Sequence, residues 1–300
     1  MDLRVEITER LDDEQVAAVL ALVETAAEAD GVAPLNEHVM LQVRHGAEPG
    51  ARAVLLYADG SVAGFAHLDP ADPEEGPSGE LVVHPAFRGR GLGRRLLGEA
   101  LEASGGGLRL WAHGDLPGAA RLAASAGLAR VRSLWQMRRP LSEPLPAAAL
   151  PEGVRLRTFE PGRDEKAWLA LNAQAFATHP EQGSWTAADL ELREREPWFD
   201  PAGFFLAVRG DALAGFHWTK VHAGTPGGDE PIGEVYVVGV APGERGTGLG
   251  RALTLAGLEH LRALGLSQVM LYVDEENTAA VRLYESLGFT RWSTDAMYRR

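Results

Sequence analysis

The chain repeats itself. Gly64-Phe65-Ala66-His67 returns as Gly215-Phe216-His217-Trp218, and Arg88-Gly89-Arg90-Gly91-Leu92-Gly93 returns as Arg245-Gly246-Thr247-Gly248-Leu249-Gly250. Residues 122–128 return as 283–289. The order is kept while the shift grows slowly, so one domain has been duplicated, with small insertions in the second copy. A period this long excludes a solenoid. The boundary is predicted in the proline-rich stretch 140–151, which reads as a stiff linker. That gives a first domain 1–140, a linker 141–151 and a second domain 152–300.

Three hundred residues suffice for two domains with full cores. Cysteine is absent, which excludes disulfides, thiolate metal sites and cysteine nucleophiles. Acids outnumber bases 42 to 29, for a net charge of −13. This balance argues against nucleic acid or an anionic membrane as partner. No apolar run reaches the roughly 18–20 residues of a membrane span. The first residues carry neither a basic nor an apolar leader segment. A cytoplasmic, monomeric protein is expected. His179, His217, His222 and His260 show no metal-ligand spacing and no flanking acidic cluster, so no metal is expected.

Within each half the pattern reads strand, one or two helices, three strands, a Gly-rich turn into a helix, strand, helix, strand. Residues 12–29 carry helical apolar spacing behind Asp12 and Asp13 as cap candidates. Strands are predicted at 53–57 and 62–67 around the turn signal Asp59-Gly60, and at 204–208 and 213–219 around Gly210-Asp211. Further strands are predicted at 235–240 and 269–273, and helices at 249–264 and 279–287, each closed by a glycine (Gly265, Gly288). The class is α/β (α+β).

Arg-x-x-Gly-x-Gly between a strand and a helix is an anion cradle. Its glycines let backbone amides turn inward, and the helix N-terminus adds partial positive charge. The expected guest is a phosphate or pyrophosphate. No Gly-Lys-Ser/Thr follows, so it is not a Walker loop, and no acidic ribose partner supports a dinucleotide site. In context, residues 237–253 resemble the acetyl-CoA motif of the GCN5-related N-acetyltransferases, as do residues 81–97. Residues 277–289 resemble that family's C-terminal motif. The resemblance covers nearly the whole chain and implies two tandem domains, each a mixed, bulged, splayed sheet flanked by helices.

It also implies acetyl-CoA as co-substrate, with one bound per domain left open. The cofactor residues it implies are Leu81, Val82, Val83, Arg88, Gly89, Arg90, Gly91, Leu92 and Gly93 in the first half. In the second they are Val238, Gly239, Val240, Arg245, Gly246, Thr247, Gly248, Leu249, Gly250, Arg251, Asn277, Thr278, Ala279, Ala280, Val281 and Arg282. Gly239 fits the bulge that splays the family's strands. Acetyl transfer needs a base for the ammonium proton, a donor for the oxyanion and an acid for the leaving thiolate. Tyr284 matches the tyrosine that is the acid in many members of the family. Glu234, opening the strand toward the bulge, is placed as the base, directly or through water. The first half has Ala123 where Tyr284 stands and Leu116 where Asn277 stands, so it is expected not to catalyse. Glu80 lies three residues nearer its loop than Glu234 and is not its equivalent.

Tandem domains of this length with only the second complete resemble one branch of the family. That branch acetylates the cysteinyl amine of cysteinyl-glucosaminyl-inositol, the last step in making a low-molecular-weight thiol. The resemblance implies Glu37, Glu181, Lys220, Glu234 and Tyr272 as substrate residues, with the sugar between domains. Alternatives are another amine acceptor (an aminoglycoside, a polyamine or a protein N-terminus) and a non-catalytic acyl-CoA sensor.

Overall fold

The computed structural model describes residues 2–69, 76–147, 149–177, 180–224 and 230–300, with the side chains of Pro180 and Glu181 excepted. Its elements alternate as the repeat requires. The first half holds β1 (Leu3–Thr8), α1 (Asp13–Asp30), α2 (Glu37–His45), β2 (Arg52–Ala58), β3 (Ser61–Asp69), β4 (Ser78–Val83), α3 (Leu92–Ala103), β5 (Arg109–Ala112), α4 (Pro117–Ser125) and β6 (Ala129–Pro140). The second holds β7 (Val154–Thr158), α5 (Glu165–Ala175), α6 (Pro180–Gly183), α7 (Ala187–Glu194), β8 (Phe204–Arg209), β9 (Ala212–His222), β10 (Ile232–Val240), α8 (Leu249–Ala263), β11 (Gln268–Asp274), α9 (Thr278–Ser286) and β12 (Thr290–Arg299). No helix among the described residues is long and apolar enough to cross a membrane.

The chain forms two compact units. One comprises Met1–Leu134 with Ser293–Arg300, the other Trp135–Trp292. Each unit thus takes its last strand from the other half of the sequence. In the first, β1 to β5 lie in order and the C-terminal strand closes the row, pairing Ala296, Met297 and Tyr298 antiparallel with Ala112, Trp111 and Leu110. In the second, β7 to β11 lie in order and the end of β6 lies beside β11. The proline-rich stretch is anchored where it begins. Leu141 is buried in the core of the second unit and its amide donates to the Ser267 carbonyl.

Both sheets are mixed. The β4–β5 and β10–β11 pairs are parallel, whereas β1–β2, β2–β3, β3–β4, β7–β8, β8–β9, β9–β10 and β5–β12 are antiparallel. Alternation along the strands gives each sheet two apolar faces. In the first unit Val54 and Leu56 pack with Leu92, Leu96 and Leu97 of α3, while Ala53 and Leu55 pack with Val19, Leu22 and Val39 of α1 and α2. In the second, Phe216, Trp218 and Val237 join Trp168 of α5 and Leu190 of α7. The opposite face packs Val235, Val269 and Leu271 on Leu255, Leu258 and Leu261 of α8.

Local chemistry explains the boundaries. Asp12 caps α1 through a reciprocal box with Gln15. Asp59 and Gly60 both take positive φ, 50° and 85°, as a tight hairpin between right-twisted strands demands.

Candidate active site

The site is a fork in each sheet. In the second unit β10 pairs with β11 only from Gly233 to Val235; the remainder of β10 diverges. The β10–β9 register shifts between Val235 and Val237, which places the bulge at Tyr236. Tyr236 and Val237 consequently face the same aromatic cluster. The expectation of a bulge at Gly239 is corrected by this register. Gly239 pairs with Phe216 in step, and its lack of a side chain serves close approach, since a Cβ there would lie 2.7 Å from the Phe216 ring and 3.1 Å from Ala175 Cβ. In the first unit β4 pairs with β5 only from Ser78 to Glu80, and its register against β3 is unbroken.

Val238, Gly239 and Val240 lie on the diverging arm of the second fork, and Leu81, Val82 and Val83 on that of the first. Beyond each arm come the cradle glycines. Gly246 and Gly248 have φ of 80° and 88°, Gly89 and Gly91 of 73° and 85°, and a Cβ at any of the four would meet nothing within 4 Å. Gly91 and Gly248 are the N-caps of α3 and α8, and neither helix has a side-chain cap. Neither cap residue offers a side chain to the first-turn amides, although Thr247 Oγ1 accepts from the Leu249 amide at 3.4 Å, and open helix starts of this kind fit an anionic guest. Leu92 and Leu249 bury the helix starts.

The arginines hold these loops. Arg88 grips Asp30 with both guanidinium nitrogens at 2.6 and 2.8 Å and donates to the Val83 carbonyl. Arg245 donates to the Ala175 carbonyl, and Arg251 to Ser286 Oγ. The Arg90 guanidinium lies over Phe87. Thr247 Oγ1 donates to the Glu244 carbonyl. Gly93 packs under Leu122 in the first unit, while Gly250 has more room.

Glu234 lies one residue before the fork opens, 6% exposed. Its carboxylate Oε2 is 2.6 Å from His222 Nε2, and Lys220 stands opposite it across the β9–β10 ladder. The Lys220 ammonium lies 4.4 Å from the Trp198 ring centre and 5.2 Å from that of Tyr236. Behind Tyr236, buried Arg193 donates to its hydroxyl at 2.8 Å and stacks on Trp185. Glu234, Lys220 and His222 thus share one face beside an aromatic wall. Tyr272, 41% exposed on β11, accepts from Gln136 Nε2 at 2.8 Å.

Asn277 caps α9, its side chain accepting from the Ala280 amide. Thr278, Ala279, Ala280, Val281 and Arg282 form the first turns of that helix, and Tyr284 follows on it against Phe289. Desolvation pushes the Tyr284 hydroxyl up to about 12, so it carries its proton throughout the physiological range. In the first unit Leu116 supplies α4 with no side-chain cap, and Ala123 is buried in the core. Glu37 opens α2 in the first unit, half-buried. Glu181 falls in the short α6, and its side chain lies outside the described residues, as does His179.

Sequence reasoning missed His222 as the partner of Glu234. The signal was available in the alternation of β9, which puts residues 220 and 222 on one face. It also missed Arg193 and Gln136, which only the fold brings in.

Residues 168–289 match the model of the acetyltransferase (GNAT) family, and residues 49–127 that of an acetyltransferase (GNAT) domain. The chain is 71% identical over 300 residues to a mycothiol acetyltransferase of Thermobispora bispora, covering 100% of both chains. It is 61% identical over 337 positions to one of Streptosporangium roseum, again covering 100% of both. Among solved structures it resembles a tandem GNAT protein from the clavulanic acid biosynthesis pathway, with TM-score 0.72, 25% identity and coverage of 99% and 98%. It also resembles a GCN5-related N-acetyltransferase from Sphaerobacter thermophilus, with TM-score 0.69, 28% identity and coverage of 99% and 95%.

Proposed function

Since the chain belongs to the mycothiol acetyltransferases, a tandem-domain branch of the GNAT family, we propose that its second unit carries out the transfer and that its acceptor is the cysteinyl amine of cysteinyl-glucosaminyl-inositol. It is an acetyl-CoA-dependent acyltransferase of mycothiol biosynthesis. The observation that carries the residue assignment is the placement of Glu234 at the mouth of the fork, beside the diverging strand.

In this reading the amides at the start of α8 and the turn from Arg245 to Gly250 bind the co-substrate's phosphates. Val238 and Val240 offer backbone groups that the β11 ladder leaves open to its pantetheine arm. Bound there, it supplies an activated acetyl thioester. Glu234 takes a proton from the acceptor ammonium, directly or through water, so that the amine lone pair can attack the thioester carbon. His222 at Oε2 orients the carboxylate and leaves Oε1 for the proton. Tyr284 donates its hydroxyl proton to the sulfur as the carbon–sulfur bond breaks, and is restored through solvent by the second proton, which the nitrogen sheds as the amide forms. Lys220 and Tyr272, both in the second unit, contact the polyol acceptor. The first unit, with Ala123 in place of the tyrosine, keeps the cradle without the proton donor and does not catalyse.

The test is product analysis by mass spectrometry after incubation with acetyl-CoA and an amine panel: cysteinyl-glucosaminyl-inositol, an aminoglycoside, spermidine and a peptide. Selective N-acetylation of the cysteinyl sugar is expected. Acetylation of another amine in preference would overturn the acceptor.

A further inference from the structure

Lys220 is only 8% exposed. Burying a lysine costs solvation, and fixing its ammonium in one place freezes a long, flexible stem. Two rings of the second unit offset that cost. The ammonium lies 4.4 Å from the Trp198 ring centre and 5.2 Å from that of Tyr236, inside the range where a ring face attracts a cation. The rings are themselves held. Tyr236 meets Trp198 and Trp218 edge to face, at 5.2 Å in each case, and its hydroxyl accepts from Arg193 Nε at 2.8 Å. Arg193 in turn donates to the Asp189 carbonyl at 2.8 Å and lies over the Trp185 ring.

The bulge makes room for this arrangement. Glu234 and Tyr236 share a face by alternation, and the register shift leaves Tyr236 with no residue opposite it on β9. Its ring thus fills the step between Lys220, opposite Glu234, and Trp218, opposite Val237. The first unit is built on the same repeat and lacks these parts. There β4 meets β3 without a shift, Asp69 stands where the repeat places Lys220, and His67 where it places Trp218. Asp69 pairs with His38 at 3.1 Å instead. The clamp therefore belongs to the unit assigned the chemistry.

We infer that Tyr236 and Trp198 are positioning residues for acceptor binding: they hold the Lys220 ammonium beside Glu234, so that the cation fixes the acceptor's polyol while its amine meets the base. The inference rests on the acceptor contact given to Lys220 above. An ammonium carries donors only, which suits hydroxyl oxygens. The rings attract its charge as a whole and supply no oxygen in competition with those hydroxyls.

The experiment measures steady-state kinetics of the intact chain for Lys220→Met, Trp198→Leu, Tyr236→Leu and the double variant Lys220→Met with Trp198→Leu, varying acetyl-CoA and acceptor in turn. The acceptor is cysteinyl-glucosaminyl-inositol, or whichever amine the wild type prefers in the panel, so a wrong acceptor identity leaves the test intact. Each single variant is expected to raise the acceptor KM about tenfold, with kcat and the acetyl-CoA KM held within about twofold. In the Lys220→Met background, Trp198→Leu should add less than about twofold, because its effect is carried by the lysine. Two effects that multiply in full would mean that the tryptophan acts independently of Lys220, and would overturn the inference. A fall in kcat with both KM values unchanged would mean only a smaller folded fraction and would overturn it as well. An unchanged acceptor KM in Trp198→Leu or Tyr236→Leu, with a raised one in Lys220→Met, would overturn it while sparing the role of the lysine. An unchanged acceptor KM in Lys220→Met would remove that role and the inference together.

Discussion

Replacing Asp295 by asparagine keeps its shape and removes its charge. The side chain has two partners, His113 Nδ1 and the Gly114 amide, and both donate to it. An asparagine has one acceptor oxygen, so its amide group must face one of those donors. Burial alone would lower the His113 pKa, but the Glu80 and Asp295 carboxylates outweigh it and push it up to about 10. His113 is therefore a cation held between two acids. Breaking one partner from a buried ionic group costs about 3–5 kcal/mol. Glu80 remains beside the ring, so about 3 kcal/mol is expected near neutral pH. The pH dependence follows from the raised pKa. The folded chain holds a proton that the unfolded chain releases above its ordinary 6.5. The contribution of the network is thus complete below 6.5 and is lost as pH rises through about 10. Urea unfolding of both proteins at pH of about 6.5, 8 and 10.5 should show the difference shrinking to under about 1 kcal/mol at the highest pH. A difference below about 1 kcal/mol near neutrality, or one that does not change with pH, would refute the argument.

Tyr284→Phe should lower kcat about a hundredfold or more while calorimetry finds acetyl-CoA binding unchanged; undiminished turnover would remove the proton-donor role. Gly239→Ala drives a Cβ to 2.7 Å from the Phe216 ring, so acetyl-CoA should bind about tenfold more weakly with a lowered Tm, and wild-type affinity would show that the diverging strand tolerates the shift. Burial lowers His67 and His217 to about 4. Their folded forms refuse protons that the unfolded chain accepts, so stability should be full above 6.5 and fall as pH drops from 6.5 through 4. A Tm that stays flat across that window would contradict the burial of neutral imidazoles.

What the sequence reveals here is what short-range chemistry encodes. The duplicated cradle, the Asp12 cap and the Asp59-Gly60 turn each lie within a few residues and appear in the fold where the pattern places them. The bulge was misplaced because a strand glycine signals either a bulge or a close approach, and Gly239 is the second kind. The Glu80–His113–Asp295 chain was illegible because its contacts bridge 33 and 182 positions, and none of the three residues sits in a motif. The exchanged strands were illegible for a related reason. Residues 129–140 and 290–299 have ordinary strand character, and nothing in a strand's own alternation names its neighbour.

That exchange also bears on how the protein is made. The first unit contains residue 2 and residue 300, whereas everything in the second lies between Trp135 and Trp292. Domains emerging from a ribosome generally fold in the order they are synthesised. Here the order is inverted. The second unit has its full set of strands once Trp292 is added, while the first waits, with the β5 edge open, until residues 293–300 have followed. A nonsense mutation at position 293 would therefore spare the unit nearest to it in sequence and leave the distant, earlier-made one unfinished.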